Sequence, residues 1–179
     1  MIKPDLYKFV IPCGNDKSLD GEPKGKKPFR YYVAEEEKKG MVKLPSEVIR
    51  YVNEYLALIG MKPTCFKYEI TKNQKRKIPY CEIKEKYKTK DKKDLVWIKF
   101  TKRGYVGALC ASNDVNFRYD NTSGRIIAHV KQKWNESFVL LVPLSDIPLG
   151  LDRRTIESGI GNYLISKGVP ILDYYSHNL

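Results

Sequence analysis

Apolar residues along this chain fall mostly into short alternating runs, with two stretches of helical spacing between them. The clearer of these follows Leu44-Pro45-Ser46. There Val48, Ile49, Val52, Tyr55, Leu56 and Ile59 recur every three or four residues and make one apolar stripe. Ser46 is a natural N-cap, Gly60 a natural stop and Pro63 lies just beyond, so the pattern predicts a helix over about 46–59. The second stretch follows Leu151-Asp152. Ile156, Ile160 and Leu164 share a face and Gly168 precedes Pro170, which predicts a helix over about 153–167.

The rest reads as strands. Residues 6–11, 29–33 and 65–70 are short apolar or aromatic runs. Residues 78–88 set Cys81, Ile83 and Tyr87 on one face against Lys84, Lys86 and Lys88 on the other. Residues 94–101 contain Leu-Val-Trp-Ile-Lys-Phe, a strongly β-prone run, and Lys102-Arg103-Gly104 turns the chain into 105–111. Val115, Phe117 and Tyr119 alternate with polar residues, and Asn121-Thr122-Ser123-Gly124 reads as a further turn. Strands over 125–131 and 137–142 follow, the last apolar on both faces and so expected in a sheet interior. Turns at this spacing point to an antiparallel meander rather than alternating β-α units.

The expected architecture is therefore α+β, a single domain over residues 1–179. It has a mainly antiparallel twisted sheet, or partial barrel, of about six to eight strands and two principal helices. A polar loop is expected over 14–28 and a basic strand-turn region over 72–103.

Composition narrows the class. A hydrophobic content of 42% with 13 tyrosines is too high for a disordered chain. The longest apolar run, Phe138 to Leu144, is far short of the roughly 20 residues of a spanning helix, so no membrane association is expected. Met1-Ile2-Lys3-Pro4-Asp5 opens no basic-then-apolar leader, which makes a cytoplasmic location the expectation. Cys13, Cys65, Cys81 and Cys110 are scattered and the only histidines are His129 and His177. That spacing suits reduced thiols better than a zinc site, and no cofactor or metal is expected.

Charge changes the picture most. The net formal charge is +12, and residues 72–103 hold 13 basic and 4 acidic groups, or +9 of it. Lys75, Arg76, Lys77, Lys84, Lys86, Lys88, Lys92, Lys93, Lys102 and Arg103 form the candidate contact set. Pairing of 78–88 with 94–101 as a hairpin would bring them onto one face. Tyr87 and Trp97 are interleaved with them and offer rings to unpaired bases. Eleven lysines against two arginines in this stretch favour diffuse phosphate contact over base reading. Sequence-nonspecific nucleic-acid binding, to DNA or RNA, is the expected function. The alternative is a binding module, inhibitor or accessory subunit for an acidic protein. A solvated lysine face that guards strand edges is the bland reading.

Catalytic signals are weaker. Glu82-Ile83-Lys84 resembles in spacing the acid–lysine pair that holds a divalent metal in nucleases, which makes a metal-dependent nuclease the third reading. No acidic residue lies between Thr71 and Cys81 to complete it. Asp114, Asp120, Glu136 and His129 are a scattered polar set, better explained by turns and strand surfaces than by acid–base work. Ser158-Gly159-Ile160-Gly161 lacks the third glycine and the Lys-Ser/Thr pair of a phosphate loop and is expected to serve close helix packing. The C-terminal 173–179 either docks on a partner or packs on the chain's own core.

Overall fold

Two strands of six consecutive buried residues organise the protein, because a run apolar on both faces is stable only when both faces are covered. The computed structural model describes residues 11–12, 31–32, 44–71, 77–78, 95–111, 115–129, 131–169 and 171–173. Its strands are β1 Ile11–Pro12, β2 Tyr31–Tyr32, β3 Phe66–Glu69, β4 Lys77–Ile78, β5 Leu95–Phe100, β6 Val106–Ala111, β7 Val115–Asn116 and β8 Phe138–Pro143. Its helices are α1 Pro45–Leu58, α2 Thr122–His129 and α3 Arg153–Ser166.

The principal sheet has the order β3-β8-β5-β6 and every pair in it is antiparallel. The two wholly buried strands, β5 and β8, lie in its middle. Beyond β6 the chain returns in parallel: Ile171 bridges Val106, and the Leu172 and Asp173 amides donate to the Val106 and Gly107 carbonyls. The arrangement is the expected α+β one. α3 packs on β5 and β6, while α1 packs on α3 and β3. The core runs from Val48, Val52 and Leu56 of α1 through Ile98 and Leu140 to Ile156, Ile160 and Leu164 of α3.

Four expectations are corrected. The sheet is not a meander, because β8 inserts between β3 and β5. The hairpin expected between 78–88 and 94–101 has no place at β5, whose two edges are occupied by β6 and β8; Lys77–Ile78 pairs with Val115–Asn116, and residues 79–88 lie outside the described residues. The turn at 121–124 and strand at 125–131 are instead the helix α2. The Asn121 side chain caps it by accepting the Gly124 N–H at 2.8 Å. Four strands form the principal sheet among the described residues, not six to eight, since β1–β2 and β4–β7 are separate two-residue pairs. Residues 14–28 lie outside the described residues.

The helix ends are set locally. α1 starts one residue earlier than Ser46 because Pro45 already takes the first helical position, and the Glu47 carboxylate accepts the Leu44 N–H at 3.0 Å. Asp152 caps α3, accepting the Thr155 N–H at 2.7 Å. α1 and α3 both close with a left-handed glycine, Gly60 and Gly168. Each closes a pair of bonds to the last turn: Gly60 N and Met61 N to Ala57 O and Leu56 O, and Gly168 N and Val169 N to Ile165 O and Leu164 O. Gly159 of α3 meets Tyr55 of α1, where a Cβ would fall 1.7 Å from the hydroxyl, so close packing explains that glycine. Among the described residues no helix is long and apolar enough to cross a membrane.

Candidate nucleic-acid interface

The basic stretch ends at the turn between β5 and β6. The Thr101 N–H donates to Tyr105 O, the Gly104 N–H donates to Thr101 O, and Lys102 and Arg103 project exposed from the turn. Thr101 bridges Trp134, and the Lys102 amide donates to the Lys133 carbonyl at 2.8 Å. That contact brings a second segment alongside, in which Lys131 and Lys133 are exposed while Gln132 and Trp134 turn inward and are buried. The fold thus adds two cations to Lys102 and Arg103 at one end of the sheet. None of the four pairs with a carboxylate among the described residues. Sequence division by charge missed this grouping, because residues 104–142 hold almost balanced charge, 4 basic and 3 acidic groups.

Lys131 occupies an unusual backbone position. The α2 C-terminus closes as α1 and α3 do, with Lys131 N bonded to Ala128 O and Gln132 N to Ile127 O, but at φ 55 with a side chain where the other helices have glycine. Left-handed backbone costs a residue with a Cβ roughly 1–2 kcal/mol. Lys131→Gly is therefore expected to stabilise the protein by about 1 kcal/mol while removing one cation from the surface. Urea unfolding beside an oligonucleotide-binding assay reads both effects.

Among the described residues, the buried charged groups lie on β5, α3 and the C-terminal segment. Lys99 of β5 has no exposed surface. Its amine donates to Asn116 O at 2.7 Å and lies 3.9 Å from the centre of the Trp134 ring, with Trp97 at 5.0 Å and Phe117 at 5.5 Å. Burial drives its pKa down to about 7, against smaller opposing influences from Cys110 and Asp173. Glu157 of α3 accepts the Ala111 N–H at 2.9 Å, and burial pushes its pKa up to about 7. Asp173 is buried and accepts from the Ser123 hydroxyl at 2.5 Å. The C-terminal segment therefore packs on the protein's own core at least through 173, while 174–179 lie outside the described residues. Neither Lys99 nor Glu157 stood out as a site in the sequence. The available signal was a single charge inside an otherwise apolar run, Leu-Val-Trp-Ile-Lys-Phe for Lys99 and the Ile156 to Ile160 stripe for Glu157.

One expected contact residue is corrected. Trp97 is 5% exposed, in the sheet opposite Cys110 on one side and Leu141 on the other, and its ring is not available to a base. Lys77 is placed only as the β4 partner of Asn116. Lys75, Arg76, Lys84, Lys86, Lys88, Lys92, Lys93 and Tyr87 lie outside the described residues, as do Glu82 and Asp114. Asp120 pairs with Arg118 at the surface and Glu136 is exposed. Among the described residues no cluster of three metal-ligating side chains occurs. Comparison of the chain with protein-family models, curated proteins and solved structures finds no match.

Proposed function

We propose that this chain binds the phosphate backbone of nucleic acid with little dependence on base sequence. The lysine-rich stretch 72–103 and the cations gathered at its C-terminal end are the contact surface. The observation that carries the reading is the concentration of +9 in that stretch, +8 of it apart from the buried Lys99, with the last two cations of the stretch, Lys102 and Arg103, exposed beside Lys131 and Lys133. Phosphates attracted to such a surface release condensed counterions, and lysine supplies point charge without the bidentate geometry that reads base edges. A cytoplasmic setting goes with this reading, in keeping with the buried Cys65 thiol, which forms no disulfide among the described residues.

The test is the salt dependence of binding to a mixed-sequence oligonucleotide. Neutralising about five phosphates gives a log–log slope of roughly −4 to −5 on a DNA duplex and about −3.5 on a single strand, and each lost contact lowers its magnitude by about 0.9 or 0.7 respectively. Replacing Lys102, Arg103, Lys131 and Lys133 together by Gln is expected to lower the magnitude of the slope by one such step for each phosphate contact they make, with the remainder left to the other cations of 72–103. No binding at low salt would reject the proposal. A complex with an acidic protein that resists nuclease and is lost on Lys84→Glu, Lys86→Glu and Lys88→Glu would replace it.

A further inference from the structure

Among residues whose side chains are described, Tyr119 is the exposed aromatic, at 41%. It is held at both ends. Its hydroxyl accepts the Trp134 N–H at 2.9 Å, and its backbone lies so close to α2 that a Cβ on Gly124 would fall 2.5 Å from the Tyr119 Cα. Trp134 in turn is buried, with its indole N–H donating to Arg118 O at 3.3 Å. The ring is thus fixed before any ligand arrives, so little side-chain freedom is lost on contact. Its hydroxyl end lies one residue from Lys133, whose carbonyl holds the Lys102 amide. Arg118 beside it is already paired with Asp120.

A rigid, half-open ring whose hydroxyl is anchored on the segment that carries Lys133 suits a ligand that offers a free base face and a phosphate close to each other. Single strands do so. A duplex stacks its bases on one another and presents only phosphates and groove edges to such a ring. We infer that Tyr119 stacks on an unpaired base and that the surface prefers single-stranded nucleic acid to duplex. This rests on the phosphate-binding reading above and names its ligand class.

The test compares a labelled single-stranded 12-mer, its duplex and a 12-mer of abasic sugar-phosphate units, at one low salt concentration. Removing a base–aromatic stack weakens binding by about 5- to 150-fold. Wild-type protein is expected to bind the single strand more tightly than the abasic strand by a factor in that range. Tyr119→Leu should lose that advantage with its salt slope unchanged, because no phosphate contact is removed. Tyr119→Phe, which keeps the ring, should retain most of it. The abasic comparison needs no variant and tests base stacking even if Tyr119→Leu fails to fold, while an advantage kept in full by folded Tyr119→Leu would overturn the role of this ring. Equal binding of base-bearing and abasic strands, or tighter binding of duplex, would overturn the stacking role and leave the phosphate reading standing. No binding of any of the three would reject both.

Discussion

Gly124→Ala is expected to destabilise the protein by about 3 kcal/mol or more, roughly 6–12 °C in Tm for a chain of this size. A methyl at this position would fall 2.2 Å from the Arg118 carbonyl oxygen and 2.5 Å from the Tyr119 Cα. Both are backbone atoms, so no side chain can rotate to make room. α2 must move off the 118–119 segment, which disturbs Ile127, Trp134 and the Tyr119 hydroxyl bond together. Gly150→Ala is the control. That glycine has φ +86 and nothing within 4 Å of a built Cβ, so its cost is the backbone strain of about 1 kcal/mol. Equal losses in the two variants, measured by urea unfolding, would show that α2 does not dock as described.

The same glycine shows where sequence was misleading. Asn121-Thr122-Ser123-Gly124 reads as a turn, in which glycine supplies a positive φ. In the fold Gly124 is not among the positive-φ glycines, and it supplies space. Asn at the start of a turn and Asn at the start of a helix make the same side-chain-to-backbone bond, so the four residues are locally ambiguous and tertiary packing decides. The elements that were legible owe little to long-range contacts. α1 and α3 have apolar stripes with a glycine stop, β8 is an unbroken apolar run and β5 is one broken by Lys99 alone. Strand order was not legible, because the insertion of β8 depends on pairings such as Tyr68 with Val139 that no local pattern encodes. The candidate interface was half legible. Lys102 and Arg103 stand out within a lysine-rich stretch, but Lys131, Lys133 and Tyr119 join them only through the Thr101–Trp134 bridge. Trp97 was misassigned because alternation cannot show that both faces of β5 are covered.

Stability is expected to fall as pH rises from about 4.5 to 7 and to recover from about 7 to 9. Glu157 produces the acid-side limb. Its folded pKa is raised to about 7 from 4.5, so between these values the folded state holds a proton that the unfolded state has released, and folding weakens as pH rises. Lys99 produces the alkaline-side limb. Its folded pKa is lowered to about 7 from 10.5, so above 7 the unfolded state holds the extra proton and folding strengthens with pH. Beyond about pH 9 the buried Cys65 thiol, pushed up to about 12, opposes further gain. Each full proton difference changes stability by about 1.4 kcal/mol per pH unit, which sets the upper limit of either slope. Glu157→Gln is expected to flatten the acid-side limb alone and Lys99→Met the alkaline-side limb alone. Urea midpoints across pH 5–9 would show this, and a profile in which Lys99→Met leaves the rise above pH 7 intact would contradict the buried amine.

The order β3-β8-β5-β6 also dictates how the chain must assemble. Only β5 and β6 are both neighbours in the sheet and consecutive in the chain, so their hairpin can form early at low entropic cost. β3 and β5 must then wait, each with an unsatisfied edge, until β8 arrives from far along the chain to fill the gap between them. Such edges invite pairing with other molecules, and Phe-Val-Leu-Leu-Val-Pro of β8 is the apolar segment most able to take part. Most of the lysine-rich stretch, residues 72–94, lies in the chain between those two waiting strands. Whatever it contacts in the finished protein, its charge repels other copies during the interval when the centre of the sheet is still open.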